Sequence, residues 1–353
     1  MYEYLFGLGK HLAEKYPKFV QSGNDPFDVE SLAFSVATVV HQVKIPAMSE
    51  LPHSFNKTGD SIDPTIFQIG LEEAFERYGE IVRPIYSLQL NAKNTEVKIP
   101  IPEFQLSSYI SRIFAGKYDA AANFETRSNF EEDWGALTQG IRESFLIDTL
   151  SQYWRGSGDS KVFDRVWSSP TSESITLNPA YTVRRNRDAW ENILNSWFDE
   201  SLESRQKDRS SIRPPEKTFL RYIYMKLVSV FDNADEKFEL DHVIPIYILK
   251  SLIPEEDEGW PLSNIANLTL LPSEDNARKN VDTLQAYLLR LAGEGKQDQV
   301  GKITKLAVSP INICDIPSPE SGIKADREWY MGFLKERFVY MKEAFYDAMG
   351  ITG

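Results

Sequence analysis

From Phe238 to Ile246 the chain reads Phe-Glu-Leu-Asp-His-Val-Ile-Pro-Ile, and no other stretch restricts the fold as much. Proline removes a ladder donor and biases the residue before it to extended geometry, so this is a short strand that Pro245 terminates. Asn267-Leu-Thr-Leu-Leu271 reads as a second strand. Pro272-Ser273-Glu274-Asp275 reads as a turn capping a helix that begins near Asn276 and continues through Ala277, Arg278 and Lys279. Strand, strand and helix over about 237–285 therefore form one compact unit.

The residue types in that unit point to chemistry. Neighbours in a strand face opposite sides, so Asp241 and His242 cannot share one ligand unless the strand ends or bulges there, which the nearby proline permits. This predicts different jobs for the two. An aspartate is a hard-oxygen ligand for magnesium, whereas a neutral histidine suits removal of a proton from water. The compact geometry can bring Asn276 beside Asp241, each giving one oxygen to a metal that keeps positions for water and phosphate. Asn267 would then brace the loop or His242. Lys279 and Arg278 are candidates to touch a phosphate, against simple solvation of a helix, and Asn280 is an alternative metal ligand. A lone Asp-His is more often a turn residue beside a satisfied histidine. The accompanying Asn267, Asn276 and Lys279 shift the balance. His11, His41 and His53 have no such partners and read as structural or surface residues.

Composition bounds the rest. A chain of 353 residues suggests two domains, with three as the alternative, each able to bury a core. The apolar, aromatic and charged fractions are globular, and no run of about eighteen apolar residues marks a membrane span. Without a basic segment leading into a hydrophobic one at the N-terminus, the expectation is a soluble cytoplasmic protein with no membrane partner. The single Cys314 and the lack of a CxxC pair argue against structural zinc. A net charge of -13 argues against a protein that coats nucleic acid, because nonspecific affinity comes from Lys and Arg displacing counterions. Any DNA contact must be local. Charge reverses between Arg184 and Lys226, where Arg184, Arg185 and Arg187 lead a basic run that reads as a DNA contact or as a solvated helix face.

Helix signals occupy most of the chain. Asp25-Pro26 and Asp63-Pro64 place a capping carboxylate before a proline suited to a first turn. From Pro64, Phe67, Leu71, Ala74, Phe75 and Tyr78 recur at three and four, and Gly79 marks the expected stop. Alternation over about 84–103 around Asn91-Ala-Lys-Asn94 predicts a hairpin. Helical spacing returns from Ile141 to Tyr153 and ends at Gly156-Ser-Gly-Asp159, which lacks the Gly-Lys-Ser/Thr ending of a phosphate loop. Thr171 to Pro179 is polar and turn-like, so the domain boundary falls near it, giving domains 1–170 and 171–353. Beyond it, helices are expected at about 187–203, from Pro215 to about Phe231, and at 326–349, the last packing back on the strand-strand-helix unit. The class is mainly α (α+β), a helical N-terminal domain followed by a helical domain that carries that unit.

Asp241-His242-Val-Ile-Pro245, Asn267-Leu-Thr-Leu-Leu271 and Asn276-Ala-Arg-Lys279 resemble the motif of HNH endonucleases with a ββα-metal finger. The resemblance implies His242 as general base, Asp241 and Asn276 as metal ligands, and Asn267 as support for the histidine and its loop. Asn276 replaces the final histidine of the founding pattern, which favours Mg²⁺ or Mn²⁺ over tightly held Zn²⁺, carboxamide oxygen being harder than imidazole. More widely, the Trp- and Arg-rich helices, the Lys-Thr-Phe-Leu helix before Asp241 and the closing Glu336-Arg337-Phe338 are similar to the C-terminal half of GmrSD-type and SspE-type restriction proteins. That similarity implies DNA as partner and defence against modified or foreign DNA. The N-terminal half of those proteins resembles a ParB-like nucleotidase with an Asp-Gly-Gln-Gln-Arg motif, which this chain lacks. Another chain would then supply the sensor, or this chain is part of a longer protein. The competing expectation is a DNA-binding or regulatory subunit whose finger is inactive.

Overall fold

The computed structural model describes residues 1–20, 29–52, 64–86, 101–119, 122, 124–156, 158–171, 174–203, 212–228, 238–252, 260–310 and 327–352. They are mainly helical, with three two-stranded antiparallel sheets, and cluster into two compact units divided between Arg184 and Arg185. The division lies beyond the expected 170/171 boundary because the polar stretch after Trp167 is structured. Strands β3 (Trp167–Thr171) and β4 (Ser174–Leu177) pair there, with Trp167 opposite Leu177. The buried Trp167 indole donates to Val39 O at 2.6 Å and ties this hairpin to the first unit.

The first unit contains α1 (Tyr2–Lys15), α2 (Pro17–Val20), α3 (Val29–Val40), α4 (Pro64–Tyr86), α5 (Glu103–Lys117), α6 (Phe130–Leu150) and α7 (Asp159–Val166), with a short pair β1 (Tyr118–Asp119) and β2 (Glu125–Thr126). Helix α4 buries Phe67, Leu71, Ala74, Phe75 and Tyr78 but does not stop at Gly79. Ile81, Val82, Ile85 and Tyr86 prolong the same buried face, and continued burial outweighs the weak propensity of one glycine. The hairpin expected over 84–103 lies mostly outside the described residues, and Pro84 to Tyr86 belong to α4. His53 and the Asp25-Pro26 and Asp63 capping signals also lie outside them.

Helix α5 is the centre of this unit: every residue from Gln105 to Ala115 is buried, with α3, α4 and α7 packed around it. Three of its buried polar residues, Gln105, Ser108 and Tyr109, find partners inside the unit. Ser108 Oγ lies 2.7 Å from the Tyr181 hydroxyl, and Tyr109 donates to Asp148 Oδ2 at 3.0 Å. Asp148 also accepts from Trp154 Nε1 at 2.8 Å and from the Arg165 guanidinium, so one buried carboxylate joins α5, α6 and α7. Helix α6 meets the turn at Pro179–Tyr181 so closely that a Cβ on Gly140 would stand 1.8 Å from Tyr181 O. His11 pairs with Glu72 at 2.8 Å, and His41 is half-buried, its Nδ1 donating to Ala37 O at 2.6 Å beside Phe67 and Phe124.

In the second unit α8 (Arg187–Glu203), α9 (Pro214–Val228) and α14 (Arg327–Met349) join through aromatic rings. Phe198 stacks on Phe338 with centroids 3.9 Å apart, Trp190 meets Phe345 edge-on at 5.0 Å, and Trp197 meets Phe219 at 5.3 Å. Such pairs contribute beyond their buried area, roughly 0.5–1.5 kcal/mol each. Helix α14 ends at Gly350, whose φ of +64° suits a residue without a Cβ. Against this layer lie β5 (Phe238–His242), α10 (Ile246–Leu252), β6 (Leu268–Pro272), α11 (Ser273–Lys279), α12 (Leu284–Gly293) and α13 (Gln297–Ala307).

Gly140→Ala should destabilise the first unit by roughly 2–4 kcal/mol, since backbone rather than a pliable side chain blocks the new methyl; thermal or urea unfolding measures it. Burial holds the His41 pKa down at about 4, against an ordinary value of 6.5. The unfolded chain then takes up a proton first as pH falls, so stability is unaffected above 6.5 and drops towards pH 4. The loss attributable to this residue should reach roughly 2–3 kcal/mol by pH 4.5, and His41→Gln should remove that part of the acid sensitivity in urea titrations at pH 7 and 4.5.

Candidate active site

Strands β5 and β6 run antiparallel with Glu239 opposite Leu271, Asp241 opposite Thr269 and His242 opposite Leu268. Pro272 ends β6, and α11 starts at once at Ser273, three residues before the expected start, because the acidic Glu274 and Asp275 suit a helix's first turn. No linker separates the second strand from the helix, so α11 is held against both strands.

Asn267 precedes β6 and is fully buried. Its Oδ1 accepts from Ile244 N at 2.9 Å, and its Nδ2 donates to Ile244 O and Leu262 O, both at 3.0 Å. Its backbone carbonyl accepts from Val243 N at 2.8 Å. The side chain thus closes the loop immediately after His242 and does not contact the imidazole. Pro245 stands at the end of that loop and accepts from Ile248 N, opening α10.

Asp241 and His242 turn to opposite faces. The His242 ring directs Nε2 to within 3.5 Å of Ser263 Oγ, the outer limit of a hydrogen bond. Burial lowers its pKa and Lys279 pushes the same way, while the adjoining Asp241 opposes them, so the ring is held neutral at neutral pH. On the other face Asp241 Oδ2 lies 2.7 Å from Lys279 Nζ. The same ammonium donates to His242 O at 3.0 Å. Lys279 is only 1% exposed, so it offers no surface to a phosphate: the expected DNA contact is corrected to an internal clamp on the end of β5.

Asn276 sits one helical turn before Lys279 and donates from Nδ2 to Glu239 Oε2 at 2.7 Å, engaging Glu239 rather than Asp241. Glu239 was not singled out from the sequence. Its spacing of two from Asp241 on a strand is the signal that could have found it, since i and i+2 share a face.

The other expected DNA contacts are dispersed. Arg278 is exposed on α11. Arg184 lies in the first unit, with its Nε 3.9 Å from the buried Glu143, while Arg185 and Arg187 open the second. Arg187 pairs with Glu343 of α14 and packs over Tyr346, with 4.5 Å to the ring centroid. Lys226 reaches Asp347 of the same helix at 2.7 Å. Arg187 and Lys226 therefore stitch α8 and α9 to α14, and Arg205, Lys207 and Arg209 lie outside the described residues.

Asp241 carries a carboxylate and Asn276 a carboxamide whose Nδ2 is occupied by Glu239, oxygen donors of the types that a hard divalent cation takes. Among the described residues no three His, Cys, Asp or Glu side chains come together. Asn280, offered above as another ligand, caps α11 at φ +50° and is exposed. Comparison with family models, with curated proteins and with solved structures finds no match to this chain.

Asn267→Ala should destabilise the second unit by roughly 3–5 kcal/mol, because it orphans the buried Ile244 N–H and carbonyl together and leaves Leu262 O with only the longer Tyr330 bond, at 3.4 Å. Urea unfolding measures the loss, and amide exchange at Val243 and Ile244 should accelerate before that of α8 and α9.

Proposed function

We propose that the second unit is a metal-dependent DNA endonuclease of the HNH class, acting in restriction of modified or foreign DNA. The observation that carries the reading is that His242, Asp241 and Asn276 lie on one strand-strand-helix unit, with the imidazole and the Asp241 carboxylate on opposite faces of β5 and Asn276 on the helix packed against it. The identity of the substrate rests on the sequence resemblance.

His242 accepts a proton from water, and the water oxygen attacks phosphorus in line as the bond to the 3′ oxygen breaks. The departing oxygen takes a proton from solvent, leaving 5′-phosphate and 3′-hydroxyl ends. Asp241 and Asn276 would hold the cation, Mg²⁺ or Mn²⁺. Once bound, it supplies Lewis-acid stabilisation of charge building on the phosphate oxygens, worth several kcal/mol. Asn267 keeps the loop behind His242 closed, and Lys279 fixes the backbone at the same residue. One unit of this kind cuts one strand, so a double-strand break requires two copies. On a chain of net charge -13, Arg278 and whatever partner reads the DNA must supply the local attraction, and a ParB-like nucleotidase on another chain or segment would fill that role.

A second reading, an inert DNA-binding subunit, draws on the Lys279 ammonium, which already sits on Asp241. Supercoiled plasmid and modified phage DNA, each incubated with Mg²⁺, with Mn²⁺ and with EDTA, separate the two. Cleavage should need the cation and fall by at least roughly 100-fold in His242→Ala. Undiminished cutting by that variant overturns the base assignment. Intact DNA under every metal and modification leaves the inert reading.

A further inference from the structure

Two carboxylates of β5 each reach one residue of α11. Glu239 accepts from Asn276 Nδ2 at 2.7 Å, and Asp241 lies 2.7 Å from Lys279 Nζ. Glu239 and Asp241 share a strand face at a spacing of two, and Asn276 and Lys279 share a helix face at a spacing of three, so the contacts form successive rungs of one seam.

The first rung has a consequence for metal binding. A carboxamide is a ligand only through its oxygen, yet its two ends are nearly equal in size, and free rotation would present NH₂ to a cation as readily as C=O. An ionised carboxylate accepts and cannot donate, so an acceptor at 2.7 Å selects the NH₂ end and turns Oδ1 the other way. The charge on Glu239 also adds long-range attraction for a cation. We infer that Glu239 is a positioning residue of the metal site: it fixes the Asn276 amide with its oxygen outward, as a ligand rather than a repelling donor. This deepens the nuclease reading and rests on it for the identity of the site.

The inference distinguishes a conformational role from a merely structural one, because a carboxylate at position 276 has no donor end to misplace. The experiment is a double-mutant cycle over Glu239→Ala and Asn276→Asp on the full chain, read by Mn²⁺ calorimetry and by spectra of protein labelled with ¹⁵N-asparagine. In the parent, the Asn276 side-chain NH₂ pair, identified by its loss in Asn276→Asp, should be shielded from exchange with water without any metal. In Glu239→Ala that pair should shift and exchange freely, and Mn²⁺ affinity should fall roughly 10–100-fold, the usual cost of removing an outer partner of a ligand. Asn276→Asp in the Glu239→Ala background should restore most of the affinity. Alone, it sets two carboxylates against each other and should not give the same gain.

A melting profile for Glu239→Ala shows whether the variant folds, and Glu239→Gln, which retains an acceptor oxygen, should fall between parent and alanine. An unshifted NH₂ pair in Glu239→Ala overturns the inference, as does unchanged Mn²⁺ affinity, whether or not the parent cuts DNA. Loss of affinity with no recovery in the double variant overturns it as well. If the parent shows the shielded pair and the coupled Mn²⁺ binding but cuts no DNA, the nuclease reading fails and the inference stands. A parent that binds no Mn²⁺ at this site overturns both, even with the amide fixed.

Discussion

The guanidinium of Arg337 holds the outer edge of β6, and the geometry of the second unit depends on it. A two-stranded sheet has two open edges, and β6 is buried at every residue, so its carbonyls on the side away from β5 have no water to turn to. Arg337, fully buried in α14, donates from one terminal nitrogen to Ala266 O at 2.5 Å and Leu268 O at 2.7 Å, and from the other to Ala307 O at 2.8 Å. Tyr224 of α9 continues the edge, accepting from Leu270 N at 3.3 Å and donating to Leu306 O at 2.6 Å. A planar, weakly hydrated fork reaches three carbonyls from two separate nitrogens, a spread that the single nitrogen of a lysine lacks. Carbonyls 306 and 307 close α13, whose C-terminal partial charge is negative, so the cation meets favourable dipoles there. One side chain thereby locks strand, closing helix and α13 together.

From that edge, order passes inward along β6. Asn267 stands at its start and fixes the loop after His242; Pro272 stands at its end and launches α11 without slack. The two ends of one buried strand therefore set the two halves of the candidate site, the imidazole through the first and the Glu239–Asn276 and Asp241–Lys279 rungs through the second. Asp275 strengthens the second half by accepting from the Tyr287 hydroxyl at 2.7 Å and from Gln299, which ties the first turn of α11 to α12 and α13. The site is built on regular elements, the arrangement that holds side chains most narrowly.

Much of this was legible in the residues, and each failure has a physical cause. Helices with one dense aromatic or aliphatic stripe, at 187–203, 214–228 and 327–349, declare themselves by period because a single face is buried. The strands of the site were readable from Pro245 and from the leucine run after Asn267. Helix α5 was not: buried on every side, with Ser107, Ser108, Ser111 and Arg112 inside, it has no polar face to alternate with its apolar one. The β3–β4 hairpin was missed because Trp167, its anchor, lies outside the polar window that was read as a turn. Lys279 was misplaced for a different reason. A lysine in a helix is ordinarily solvated, and its depth depends on a carboxylate from another strand, a tertiary fact that no local period records.

Depth also decides what the second rung does. Burial removes Lys279 and most of Asp241 from water, a cost tolerable only because the two groups compensate each other and the ammonium gains the His242 carbonyl. In the formal count, Glu239 and Asp241 contribute two negative charges to the seam and Lys279 one positive, a net of one. A divalent ion held there by Asp241 and Asn276 would face repulsion from Lys279 as well as attraction from the carboxylates. The same lysine that fixes the end of β5 would therefore weaken the hold on such a cation. Were a cation held there, so rigid and weakly binding a seam would suit an exchangeable Mg²⁺ with its remaining positions filled by water and substrate phosphate better than a tightly kept structural zinc. In the nuclease reading the rungs would divide the labour: the first would orient a ligand, and the second would set how firmly the site holds a cation.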